Sequence, residues 1–266
     1  MPSTLSFNCA LLTGGGGGIG RAISSYLLQQ GKKVIIAGRT KETLLKTAHE
    51  IGATDYFVLD TGIISQIPTF IHKLTTQYPE VDCLINNAGV QRPLDIVNDP
   101  TTDFLAKADQ EIDINERGPM HLTLGLLDHF RTHPHGATII NVSSILAFVP
   151  FSVINPVYNG TKAFMHFWSM NLRTQLANAG LEKVRVVEII PPSVGTDLHR
   201  DRSDPDDNKK HNNQSVLTVE EFMEFVSKGL ERGETVIAPG MSQELVDTWY
   251  RDFGSVYENY SGIHKK

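Results

Sequence analysis

The run Thr13-Gly14-Gly15-Gly16-Gly17-Gly18-Ile19-Gly20 directly follows the apolar stretch 9–12 and directly precedes an amphipathic stretch opening at Arg21. A strand, a turn without side chains and a helix in that order let a pyrophosphate approach the backbone. It can then rest on the free N–H groups of the helix N-terminus, so a dinucleotide site is predicted around Gly14, Gly18, Ile19 and Gly20. The competing reading is a flexible linker. A linker would not be flanked within two residues by a strand pattern and a helix pattern.

Short β-rich runs alternate with helix-period segments along the rest of the chain, at 34–37, 56–59, 81–85, 138–142, 184–190 and 236–238. The alternation predicts an α/β fold: a single-domain, Rossmann-type, doubly wound parallel sheet with helices on both faces, spanning residues 1–266. Gly31 is expected to end the first helix and Gly180 a long one that begins near Pro156. Thr218-Val219-Glu220-Glu221 reads as a capping box. The stretch at about 198–217 is polar and without periodicity. It reads as a mobile substrate loop, either a lid over the site or solvated filler.

A formal net charge of −6 and the absence of a Lys/Arg block argue against nucleic acid or an anionic membrane as partner and favour small-molecule chemistry. No run approaches the roughly 18 apolar residues of a membrane span, and residues 1–7 have no basic leader, so a cytoplasmic protein is expected. Cys9 and Cys83 lie in predicted core strands without metal-site spacing and read as packing residues. His129, His133 and His135 fall at a helix end and in a loop, where cations favour the helix dipole, and no metal is predicted.

Tyr158 and Lys162 stand at i, i+4 near the start of the long helix, which puts phenol and ammonium on one face. Such a pair suits proton transfer, because a nearby cation and an oxidised nicotinamide are both expected to lower the phenol pKa. Ser144 closes a strand at the C-terminal sheet edge, where its hydroxyl can donate to a carbonyl oxygen as charge develops there. Ser143 reads as an ordinary turn residue. Asn115 falls inside a predicted helix, either on a solvated face or at a local opening whose carbonyl joins a proton relay to Lys162. At the end of the second strand Gly38 stands where an acidic residue would accept from a ribose 2′-OH, and Arg39 offers a guanidinium for a 2′-phosphate. NADP(H) is therefore preferred to NAD(H), with Arg39 as a plain surface charge the alternative. Asp60 is assigned to the adenine amino group or to a helix cap.

The glycine motif, Asn86-Asn87-Ala88-Gly89, Asn115, Ser144, the Tyr158/Lys162 pair and a late Pro191-Pro192 turn recur in the order of the short-chain dehydrogenases/reductases, which the chain resembles across nearly its whole length. The stretches 141–150 and 188–198 resemble the DltE-like branch. The resemblance implies a catalytic tetrad of Asn115, Ser144, Tyr158 and Lys162, with Tyr158 the proton donor or acceptor and Lys162 also on the nicotinamide ribose. It further implies cofactor contacts from Asn87, Ala88, Gly89, Pro191, Val194 and Thr196, a carbonyl or alcohol substrate, and a homodimer or homotetramer. The expected activity is NADP(H)-dependent ketone or aldehyde reduction. A silent nucleotide sensor and a non-redox epimerase or dehydratase are the rivals. Gly160 inside the Tyr-Lys motif and Glu116 beside Asn115 depart from the family pattern.

Overall fold

In a computed structural model, which describes residues 4–262, seven strands form one parallel sheet in the order β3-β2-β1-β4-β5-β6-β7. They are β1 (Cys9–Thr13), β2 (Lys33–Gly38), β3 (Asp55–Val58), β4 (Cys83–Asn86), β5 (Ala137–Val142), β6 (Val184–Ile189) and β7 (Val236–Ile237). The reading of the amino terminus includes residues 1–3, which lie outside the described residues. Each strand foreseen from the sequence is present, with ends moved by a residue or two. β4 starts at Cys83 because the Val81 N–H turns back onto the Tyr78 carbonyl at 3.1 Å.

The helices are α1 (Gly18–Gln29), α2 (Lys41–Ile51), α3 (Ile67–Gln77), α4 (Thr101–Ile112), α5 (Gly118–Thr132), α6 (Pro156–Asn178), α7 (Val219–Arg232), α8 (Ser242–Trp249) and α9 (Ser255–Ser261). Alternate residues of a strand face opposite sides of the sheet, and both sides are covered. Leu11, Ile35, Leu84 and Ile139 pack with Leu122, Leu126 and Phe130 of α5. Leu12, Ile36, Ile85 and Ile140 pack with Ile23 and Leu27 of α1 and Phe222 and Val226 of α7. Cys9 and Cys83 are fully buried in these layers.

Local punctuation follows the chemistry of the caps. Gly31 and Gly180, just past α1 and α6, take the left-handed conformation with φ of +75° and +72°. The Glu221 N–H donates to Thr218 Oγ1 at 3.1 Å while the Thr218 N–H donates to Glu221 Oε2 at 2.9 Å, which completes the capping box. The chain steps outward from β1 through β2 to β3 and then crosses back to β4. That reversal opens a crevice at the C-terminal ends of β1 and β4, where open α/β sheets bind ligands.

Candidate active site

A cavity of about 800 Å³ fills the crevice, and its floor is the glycine turn. Gly14 adopts φ +71° and Gly18 φ +51°. A Cβ on Gly20 would fall 2.4 Å from the Gly14 carbonyl oxygen, so the turn closes on itself only without a side chain there. The N-cap of α1 is Gly17, with no side-chain cap, so the first N–H groups of the helix, Ile19 and Gly20 among them, have no capping side chain to bond. Thr13 locks this turn to β4. Its hydroxyl accepts from the N–H groups of Asn87 and Ala88, both at 3.1 Å, while Asn87 Nδ2 donates to the Thr13 carbonyl at 2.9 Å. Asn87, Ala88 and Gly89 thus form the second wall of the cavity. Thr13, quoted in the motif, gave no separate sign of this clamp.

Tyr158 and Lys162 reach the same cavity from the first turns of α6, and Ser144 from the end of β5. All three are buried. The Leu146 N–H donates to Ser144 Oγ at 3.2 Å, leaving the serine proton free to donate onward. Lys162 Nζ donates to the Val142 carbonyl at 2.9 Å and sits 5.5 Å from the centre of the Tyr158 ring. The protein's own side chains do not lower the phenol pKa. The Tyr158 phenol lies above its ordinary range, because burial and the nearby Glu111 carboxylate outweigh the hydrogen bond from Ser144 and the charge of Arg202. Burial also pushes the Lys162 ammonium down to about 8.

Asn115 does not face the cavity. It lies in a π-helical turn, Asp113–Arg117, that joins α4 to α5, so the helix is indeed opened at this residue. Its side chain is fully engaged: Oδ1 accepts from the Val90 N–H at 2.9 Å, and Nδ2 donates to the Val90 carbonyl at 2.9 Å and to Thr161 Oγ1 at 3.1 Å. The residue pins the loop after β4 against α6, beside Lys162. Neighbouring Glu116 is half-buried with its carboxyl pushed up by burial, and nothing in the structure explains its charge.

Arg39 is exposed on the cavity rim beyond β2, and Asp60 lines the wall beyond β3. The Gly62 N–H donates to Asp60 Oδ1 at 2.9 Å, so this carboxylate caps a turn and still faces the cavity. Pro191, Val194 and Thr196 line the opposite side. Val194 bridges to Leu217, and the Thr196 carbonyl accepts from Asn208 Nδ2 at 3.0 Å and Lys209 Nζ at 2.9 Å.

Those last bonds belong to the aperiodic segment, which is more ordered than the sequence suggests. Arg202 donates to Asp207 Oδ2 at 2.6 Å, to Asn155 Oδ1 at 2.7 Å and to Gln91 Oε1 at 3.0 Å, and His199 pairs with the same Asp207. Asn208 and Val216 are buried. The segment is folded down over the cavity, which it lines through Leu198, Arg200, Arg202 and Asn208. Its anchoring residues, Arg202, Asp207, Gln91 and Asn155, carry no motif that would have singled them out.

Comparison with known proteins identifies the family and the fold. Residues 8–207 match the family model described as short chain dehydrogenase. The chain is 32% identical over 251 residues to the uncharacterized oxidoreductase DltE of Bacillus subtilis, covering 94% of this chain and 95% of that protein. It is 33% identical over 221 residues to the NADP-dependent 3-hydroxy acid dehydrogenase YdfG of Escherichia coli, with 81% and 86% covered. Among solved structures, a short-chain dehydrogenase from Sphingobium yanoikuyae in complex with NADPH shares the fold at a TM-score of 0.77 and 21% identity, covering 94% and 95%. The closed form of serine dehydrogenase complexed with NADP+ aligns at a TM-score of 0.70 and 31% identity, covering 83% of this chain and 88% of that one.

Proposed function

The chain belongs to the short chain dehydrogenase family, an oxidoreductase working between CH–OH and C=O carbons, and from that premise we propose that it is an NADP(H)-dependent reductase of ketones or aldehydes. One observation carries the reading: a buried tyrosine phenol, one helical turn from Lys162, lines with Ser144 the wall of a cavity whose floor is a glycine-rich anion cradle.

The residues present fit the cofactor. The N-terminus of α1, with Gly14, Gly18, Ile19 and Gly20, would hold the pyrophosphate, since any Cβ at Gly20 would fill the space the turn needs. Arg39 would meet the 2′-phosphate and Asp60 the adenine amino group. Asn87, Ala88 and Gly89 would flank the ribose, and Pro191, Val194 and Thr196 the carboxamide. The preference for NADP(H) is supported by YdfG, named as NADP-dependent, and by the NADP(H) complexes among the structural neighbours. When bound, the nicotinamide supplies the hydride.

Ser144 donates a hydrogen bond to the substrate carbonyl oxygen and stabilises the charge that develops there. Tyr158 gives that oxygen its proton. The phenol carries its proton at neutral pH, as a donor to the carbonyl oxygen must. Lys162, still mostly cationic with a pKa of about 8, stabilises the phenolate left behind and would hold the nicotinamide ribose. Asn115 positions the lysine and the loop after β4. We take the segment 198–217 as the lid over the substrate, in one catalytic domain.

Assembly into a homodimer or homotetramer through α6 is part of the same proposal. Leu172 and Leu176 are spent on the core, but Phe167 is half-exposed, and Phe164 stacks on Trp168 with centroids 6.1 Å apart. A monomer by light scattering at micromolar concentration would count against it. The activity itself is tested by following NADPH oxidation against a panel of ketones and aldehydes. Absence of turnover with tight NADPH binding would favour a silent sensor instead.

A further inference from the structure

Glu188 of β6 is 0% exposed, yet its carboxylate takes no part in the reaction described above. Ser143 Oγ donates to Glu188 Oε1 at 2.5 Å, and His166 Nδ1 lies 3.0 Å from Oε2 and 3.2 Å from Oε1. An ionised carboxylate only accepts, so His166 Nδ1 carries the proton of that bond. All three side chains are buried. The rings of Phe148 and Trp249 close over His166 with centroids 4.3 and 4.9 Å away. Between such apolar walls a charged hydrogen bond is strong and an unmatched charge is costly.

These residues sit on the elements that carry the chemistry. His166 follows Lys162 by one helical turn and Tyr158 by two, so all three occupy one face of α6. Lys162 Nζ reaches the Val142 carbonyl at 2.9 Å, and one turn further along the helix His166 reaches Ser143 through Glu188. Below that bridge Asn141 Nδ2 donates to Ser169 Oγ at 2.9 Å. The Glu188 bridge therefore stands between two direct contacts of α6 with β5, and it falls on the residue next to Ser144. Ser144 has extended backbone, and its hydroxyl caps the turn Ile145–Ala147. Ser143 also lines the cavity, but its one hydroxyl proton is spent on Glu188, so it has none to offer a carbonyl oxygen. Ser144 is left as the donor of the two.

We propose that Glu188, braced by His166, is a positioning residue for Ser144: it fixes the Ser143 hydroxyl and so sets the strand end that carries Ser144 against the helix face that carries Tyr158 and Lys162. The inference rests on the reductase reading above. Glu188, His166 and Ser143 move no proton during the reaction. Their effect is geometric, because a hydrogen-bond donor displaced from the place where charge develops loses much of its worth to the transition state.

The test measures kcat and KM for carbonyl reduction, and NADPH affinity by fluorescence titration, in Ser143→Ala and Glu188→Leu, and repeats Ser143→Ala in a Ser144→Ala background. Ser143→Ala removes one buried hydroxyl and keeps the Ser143 N–H on the Ile189 carbonyl, so the strand pairing survives. Its kcat should fall about tenfold, part of the roughly 10²-fold or more that loss of a whole oxyanion donor costs, with KM and NADPH affinity within about twofold of wild type. Glu188→Leu should lose at least as much, and adding Ser143→Ala to it should cost little more. In the Ser144→Ala background Ser143→Ala should change kcat by less than about twofold, because the residue it positions is gone. A merely structural loss would multiply there. A wild-type kcat in Ser143→Ala, a loss carried by KM or NADPH affinity in place of kcat, or the same loss in both backgrounds would overturn the proposal, and these Ser143 arms decide it even where Glu188→Leu fails to fold. Any of those results beside normal wild-type turnover fells this inference alone, whereas no turnover with any carbonyl fells the reductase reading and this inference with it.

Discussion

Exchanging the pair at the end of β2 is expected to reverse the choice of cofactor. Arg39 is exposed at the cavity rim and Gly38 precedes it without positive φ, so an aspartate can occupy the glycine position. Its Cβ would lie 3.3 Å from Leu44 Cδ2, the far end of a flexible side chain that need yield only slightly. A hydrogen bond to a charged group contributes about 1.5–3 kcal/mol, and each 1.4 kcal/mol or so is tenfold. Arg39→Ala alone should therefore cost roughly ten- to hundredfold in kcat/KM with NADPH while leaving NADH nearly untouched. Gly38→Asp adds repulsion of the 2′-phosphate and an acceptor for the ribose hydroxyls, so the double variant should prefer NADH. The assay is kcat/KM with both cofactors for wild type, the two single variants and the double, at low and moderate salt. The Arg39 effect should shrink with salt because the site is exposed. A wild type that already prefers NADH, or a preference unmoved in the double variant, would show that Arg39 is only a surface charge.

Three further outcomes are expected. Gly160→Ala should stabilise the protein by about 0.5–1 kcal/mol, because a Cβ there meets nothing within 4 Å and the helix loses its most flexible residue. Thermal melting should move up by a few degrees, and an unchanged or lower midpoint would refute it. Arg202→Ala should cut the overlying segment loose from Gln91, Asn155 and Asp207, raising KM for substrate with NADPH affinity kept; an unaltered KM would remove the lid role. Glu111 binds its proton more tightly folded, at about 7, than the ordinary 4.5, so its share of stability is present below the lower value and lost as pH rises through the upper one. At about 1.4 kcal/mol per unit that is up to roughly 3 kcal/mol, and Glu111→Gln should accordingly gain stability over wild type at pH 8 relative to pH 5, measured by urea unfolding. An equal difference at both pH values would contradict it.

Much of the architecture was legible because parallel strands covered on both faces need continuous apolar runs, as in Cys9-Ala10-Leu11-Leu12, and because the glycine turn has one physical use between a strand and a helix. The Tyr158/Lys162 spacing was legible for a similar reason: i, i+4 fixes the shared face without any tertiary knowledge. What stayed hidden depends on contacts between residues far apart in the chain. The upward shift of Tyr158 comes from burial and from Glu111, 47 positions earlier, which nothing local to the motif reveals. Glu111 itself follows Asp109 and Gln110 and reads as part of a solvated face until α4 is seen against α6. The polar segment at 198–217 looked unstructured because its order is made by side chains, with Arg202 reaching Gln91 across 111 positions, rather than by a backbone pattern that leaves a period in the sequence.

The central claim, that Tyr158 delivers the proton to a carbonyl reduced by NADPH, is tested most directly by single-turnover reduction in Tyr158→Phe. The substitution removes the hydroxyl and keeps the ring in its buried site, so NADPH affinity, read by fluorescence titration, should stay within a few fold of wild type. The rate of NADPH oxidation at saturating carbonyl should fall by about 10²–10⁴-fold, the usual contribution of a positioned general acid. A variant that binds NADPH normally and reduces the carbonyl at a rate close to wild type would contradict the assignment.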